Sequence, residues 1–155
     1  MTKRPRPLKS AFAKAVHDTP SIAECYQRGL QALGSDSDKV SPKNSRHCQG
    51  SVSLDACLQA AFPNDNHWDY ALGYAGKAYF VEVHPAIPRE VKTVLKKLEW
   101  LKGWLRKEAP KLENLKADSA FHWIASGNVG TLSTSREYRQ AAQAGVAPKS
   151  KLQLP

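Results

Sequence analysis

The feature that constrains this chain most is a pair of aromatic and β-branched runs, residues 68–74 (WDYALGY) and 77–84 (KAYFVEVH), joined by Ala75-Gly76. Two such runs around a two-residue link containing glycine read as a β-hairpin. Pro85 ends the second run, because proline has no N–H to give to a ladder. With Ala75 and Gly76 as the loop, Tyr74 faces Lys77. Stepping outward places Asp69 opposite Glu82 on the same face of the sheet. Alternation puts Ala78, Phe80, Glu82 and His84 on that face and turns Tyr79, Val81 and Val83 to the other. Like charges directly across a hairpin repel, whereas a divalent cation, which needs several oxygen ligands, turns that repulsion into a binding site. His84 leans over the same spot as a base, ligand or orienting group. The alternative is that Asp69 merely ends its strand and Glu82 pairs with a lysine, since a one-residue slip of register would separate the two acids.

The rest of the chain frames this hairpin. Thr19-Pro20 reads as an N-cap and first helical residue, and Ile22, Cys25, Tyr26, Leu30 and Leu33 recur at helical spacing, so a helix is expected over 20–33, closed by Gly34. Residues 34–47 are polar and turn-rich, a loop. Residues 48–54 read as a strand, and Asp55 as the cap of a short helix over 56–62. Pro88-Arg89 opens a long helix with the apolar stripe Val91, Val94, Leu95, Leu98, Leu101 and Leu105, stopped by Pro110. Residues 119–126 read as a further strand, followed by a turn around Gly127 and Gly130. A last helix near 135–144 is capped by Ser133 or Ser135. Helix, two or three antiparallel strands, helix, strand and helix make an α/β (α+β) fold: a small mixed sheet with a central hairpin flanked by helices. The organisation is a flexible basic arm over 1–18, one domain over 19–147, and an irregular tail over 148–155.

Charge narrows the partners. The chain has 155 residues with 23 Lys+Arg against 14 Asp+Glu, a net +9. Lys3, Arg4, Arg6, Lys9 and Lys14 crowd the arm, and the polar side of the long helix carries Lys92, Lys96 and Lys97 among others. A polyanion, nucleic acid first, is the partner such a balance fits, with Lys92, Lys96 and Arg136 as phosphate contacts. No apolar run approaches the ~20 residues of a membrane span. Three cysteines without a CxxC pair argue for a reducing, cytoplasmic setting and against a disulfide framework. The spacings of His47, Cys48, Cys57 and His67 match no common zinc pattern. Trp100 and Trp104, four apart, widen the buried helix face or offer a stacking surface.

The stretch His67-Trp68-Asp69-Tyr70 followed by Glu82-Val83-His84, set in the order helix, three strands, helix, strand, resembles the PD-(D/E)XK nucleases. The resemblance spans about residues 20–130. It implies a restriction-endonuclease-like αβββαβ core and a metal-dependent nuclease acting on nucleic-acid phosphodiesters. It implies Mg²⁺ or Mn²⁺ held by Asp69, Glu82 and the Val83 carbonyl, and catalytic roles for Asp69, Glu82, His84 and, on the first helix, Glu24. Two positions depart from the family pattern: His84 stands where it has lysine, and Trp68 where it has proline. The competing expectation is the same fold without catalysis, serving as a nucleic-acid-binding or protein-interaction module; small nucleases of this kind often act as homodimers.

Overall fold

The computed structural model describes residues 10–127 and 135–155. In chain order it forms α1 (Ala11–His17), β1 (Val40–Pro42), β2 (Cys48–Ser53), α2 (Leu54–Leu58), β3 (Tyr70–Tyr74), β4 (Lys77–His84), α3 (Val91–Glu108), α4 (Pro110–Leu115), β5 (Lys116–Ala125), α5 (Arg136–Gln143) and β6 (Leu152–Leu154). Strands β2-β3-β4-β5 make a four-stranded mixed sheet, antiparallel except that β5 runs parallel to β4. The fold is therefore a mixed α+β sheet flanked by helices, as the sequence pattern leads one to expect. The β3–β4 register pairs Tyr74 with Lys77 and continues to Tyr70 with Val81. Ala75 and Gly76 both take positive φ, 49° and 81°. This is the left-handed conformation that a two-residue hairpin turn requires, and Ala75 accepts it despite its Cβ.

Alternation along the strands splits the core in two. On one face Ala71, Ala78, Phe80 and Trp123 pack against α1 and against Val94, Leu98, Leu101 and Leu105 of α3. On the other, Leu72, Tyr74, Val81 and Ile124 pack against Leu33, Val40, Leu152 and Leu154. Among the described residues no helix is long and apolar enough to cross a membrane.

Four expectations are corrected. First, the basic arm does not extend to residue 18. Ser10 caps α1 by accepting from the Ala13 N–H, and Phe12 and Val16 are wholly buried. Phe12 lies so close over Gly73 that a Cβ there would meet its ring carbon at 2.4 Å, so β3 is glycine where α1 crosses it. Residues 1–9, with Lys3, Arg4, Arg6 and Lys9, lie outside the described residues, as do Gly130 and Ser133. Second, residues 20–30 are turns, not a helix. Their apolar spacing serves separate tertiary anchors: Ile22 is buried, Tyr26 donates to the Gln49 carbonyl at 2.9 Å, and Gln27 bridges Ser51. Third, Cys25 and Cys57 form a disulfide, leaving Cys48 free. Their separation of 32 residues carries no local signal. Fourth, the tail is structured: β6 pairs in parallel with β1, which itself falls in the expected loop, and buries Leu152 and Leu154.

Candidate functional site

Asp69 lies one step beyond the last β3–β4 pair, Tyr70 with Val81. There the two strands still run side by side without ladder partners, and the acidic side chains take over that role. The Asp69 N–H donates to Glu82 Oε1 at 3.0 Å, and the Val83 N–H donates to Asp69 Oδ2 at 2.9 Å. Backbone donors thus satisfy one oxygen of each acid. The Asp69 carbonyl in turn accepts the Leu54 N–H at 2.8 Å, seating the first turn of α2.

The remaining oxygens converge on one ammonium group. Lys97 of α3 hydrogen-bonds Glu82 Oε2, and its Nζ lies 3.7 Å from Asp69 Oδ1. Glu82 is fully buried, while the Asp69 and Lys97 side chains are 20% and 17% exposed. The two alternatives for the hairpin therefore meet: the acids are opposed on one face, and Glu82 is also paired with a lysine. Lys97 was visible in the sequence only as one more cation of the long helix. Its signal is its position one residue before Leu98, at the edge of the buried stripe, whereas Lys92 and Lys96 project from the opposite, solvated side.

His84 sits between two acids. Nδ1 lies 3.4 Å from Glu82 Oε2 and Nε2 lies 3.4 Å from Glu90 Oε1. Nε2 is buried and makes no hydrogen bond. The contact with Glu82 lifts its pKa against the opposing effect of burial, helped by the charges of Glu82 and Glu90. The shift favours the charged form of the imidazole, and of the three sequence expectations (base, ligand or orienting group) it suits an orienting group that donates to Glu82. Burial, and then the Glu82 charge, push the Asp69 carboxyl up to about 6, although Lys97 and the Val83 N–H pull the other way. Burial lowers the Lys97 pKa, but the charges of Glu82 and Asp69 outweigh it and leave it raised. Lys97 is thus biased toward its charged form, while burial leaves Asp69 easier to protonate than an ordinary aspartate.

Other expected site residues lie apart. Glu24 is exposed among the turns of residues 20–30, off any helix, and no contact of Asp69, Glu82, His84 or Lys97 involves it. Asp55 does not cap α2 with its side chain. Ser53 is the N-cap residue, while Asp55 faces His67 Nδ1 at 3.3 Å and accepts from Gln59 at 3.1 Å. Lys92 and Lys96 are exposed on α3, and Arg136 is exposed at the start of α5. Trp100 and Trp104 stack with ring centres 5.7 Å apart, and the Trp100 indole N–H donates to Asp65 at 2.9 Å.

Among the described residues, no group of three or more His, Cys, Asp or Glu side chains is arranged to hold a metal. That count suits zinc or calcium cages better than magnesium, which characteristically takes one or two protein carboxylates and completes its shell with water and phosphate. The oxygen donors available for such an ion are the two carboxylates of Asp69 and Glu82, each with one oxygen on a backbone N–H and the other turned toward Lys97. No family model, curated protein or solved structure matches this chain.

Proposed function

We propose that the protein is a metal-dependent nuclease, or a protein built on that plan, whose substrate is a nucleic-acid phosphodiester. The observation that carries this reading is the convergence of Asp69 and Glu82 on the ammonium of Lys97 at the end of the hairpin. It is supported by the net charge of +9 and by a main sheet of three antiparallel strands, β2, β3 and β4, with α2 between the first two, followed by α3, α4 and the parallel strand β5. On this reading the four-stranded sheet is a restriction-endonuclease-like core. The ammonium that the family carries two residues after the glutamate, where this chain has His84, comes instead from α3.

Asp69, Glu82 and the Val83 carbonyl would hold Mg²⁺ or Mn²⁺. When bound, the ion supplies Lewis-acid polarisation of the phosphate and a more acidic water. Lys97 donates to a non-bridging phosphate oxygen as the diester enters, exchanging a carboxylate partner for a phosphate one. His84, whose pKa the contact with Glu82 raises, lies beside the same carboxylate as a further donor. The overall change is addition of water across a P–O bond, giving a phosphomonoester and a free hydroxyl. Lys92, Lys96 and Arg136 hold the backbone outside the reacting site. The cytoplasmic placement rests on the nucleic-acid partner alone, because the Cys25–Cys57 bridge removes the cysteine argument for a reducing compartment.

A second reading has its own observation. Glu82 is fully buried and already bound to Lys97, which suits a site that only stabilises a binding module. End-labelled DNA and RNA incubated with Mg²⁺ or Mn²⁺ decide between them. Cleavage that falls by about a hundredfold or more in Asp69→Asn and Glu82→Gln, with affinity for the oligonucleotide little changed, is the expected result. Tight binding with no cleavage under either ion would overturn the enzyme and leave the module.

A further inference from the structure

The face of the sheet opposite Asp69 and Glu82 carries a second concave site. Near the starts of β4 and β5 a cleft of about 630 Å³ is lined by Lys77, Tyr79, Asp118, His122, Lys149 and Lys151, with Leu152 in its wall. Its volume falls in the range of small-molecule sites, roughly 300–1,000 Å³. Tyr79 and His122 project from adjacent strands, ring centres 6.1 Å apart.

The cations here differ from most lysines with assigned contacts in this protein. Lys39, Lys97, Lys111 and Lys116 each sit on a carboxylate. Among the described residues, no ion pair is formed by Lys77, Lys149 or Lys151. Asp118 is exposed on the cleft and neutralises none of them at ion-pair distance.

Lys149 is also held in place. Its backbone bridges β5, accepting from Ala125 N–H at 2.8 Å and donating to the Trp123 carbonyl at 3.0 Å. Its Nζ lies 3.1 Å from Nδ1 of His122. The other ring nitrogen of His122, Nε2, lies 2.8 Å from the Ser119 carbonyl, which can only accept. Nε2 therefore bears the proton and Nδ1 accepts from the ammonium, an arrangement that requires a neutral imidazole. His122 is 6% exposed, and burial lowers its pKa, which favours that neutral form. A neutral histidine orients Lys149 without cancelling its charge. Burial likewise lowers the Lys149 pKa, so its charged form lacks full compensation.

We propose that this cleft binds a small molecule bearing an oxyanion, a phosphate or a carboxylate, with Lys149 as its anchor, Lys77 and Lys151 as flanking cations, and a flat or apolar body against Tyr79 and Leu152. His122 is a positioning residue that acts through Lys149. The site is independent of the nuclease reading, because it lies on the other face and shares no residue with that site.

The test uses the full chain, titrated by calorimetry and by NMR with inorganic phosphate, adenosine 5′-monophosphate and benzoate in separate arms. The phosphate and benzoate arms separate the two oxyanions, and the nucleotide arm adds a flat body. At least one probe saturates, shifting resonances of Tyr79 and His122. Lys149→Met then weakens that probe about tenfold or more, and Lys149→Arg keeps it within about threefold, as expected for a hydrogen bond from a charged donor. Lys77 and Lys151 are exposed, so Lys77→Met/Lys151→Met leaves the fold intact and weakens binding severalfold. Glu82→Gln leaves binding unchanged, which separates this outcome from failure of the nuclease site. Absence of saturable binding in all three arms, affinity indifferent to Lys149→Met, or binding at these residues confined to oligonucleotides overturns the proposal.

Discussion

Asp69 is a carboxyl group made to ionise where ionisation is unfavourable. Its pKa is about 6 in the fold against an ordinary 3.8, so the folded chain holds this proton more tightly than the unfolded one. Stability from this group is therefore greatest at low pH and is lost as pH rises from 3.8 through about 6. Asp69→Asn keeps the shape and the acceptor for the Val83 N–H while removing the charge. The variant is expected to exceed the wild type in stability at pH 7.5 by about 1–3 kcal/mol, with the difference fading toward pH 4, in paired urea denaturations. Equal stabilities at both pH values would show that the carboxylate is fully compensated.

At the level of elements, the disulfide links the irregular segment around Cys25 to the end of α2. Turns held by separate anchors have little cooperative stability of their own, so a cross-link that closes a long loop matters to them. Replacing Cys25 and Cys57 together by alanine is expected to lower stability by about 2–4 kcal/mol. Reductant should cost the wild type a similar amount and leave the double variant unaffected, a comparison that denaturant titrations settle. These elements also show what a sequence conceals. The hairpin was legible because alternation, a glycine-bearing turn and Pro85 agree on one register. The turns of residues 20–30 were not, because Ile22, Cys25 and Tyr26 mimic helical spacing while each serves a different tertiary partner. Lys97 was hidden for a related reason: a lysine at the edge of an apolar stripe looks like any solvated one until the sheet beneath it is known to carry two acids. Phe12 and Val16 were overlooked because the basic residues before them set the reading of the whole segment.

For the molecule as a whole, the distribution of charge sets what the surface can hold. Lys92 and Lys96 are exposed on one side of α3, while Lys97 on the same helix is withdrawn into the site. If Lys92 and Lys96 contact phosphates, their joint change to glutamate lowers oligonucleotide affinity at low salt. It also reduces the slope of log affinity against log salt by about 2, near 0.9 for each lost contact. An unchanged slope in filter-binding assays would remove α3 from the interface. The hairpin supplies both acids of the candidate site and the helix layer supplies the ammonium, and those layers are held together by Val94, Leu98, Leu101, Phe80 and Trp123. The dryness that weakens Asp69 as an acid is thus made by the same apolar packing that seats α3 on the sheet, so the core and the site are two uses of one interface.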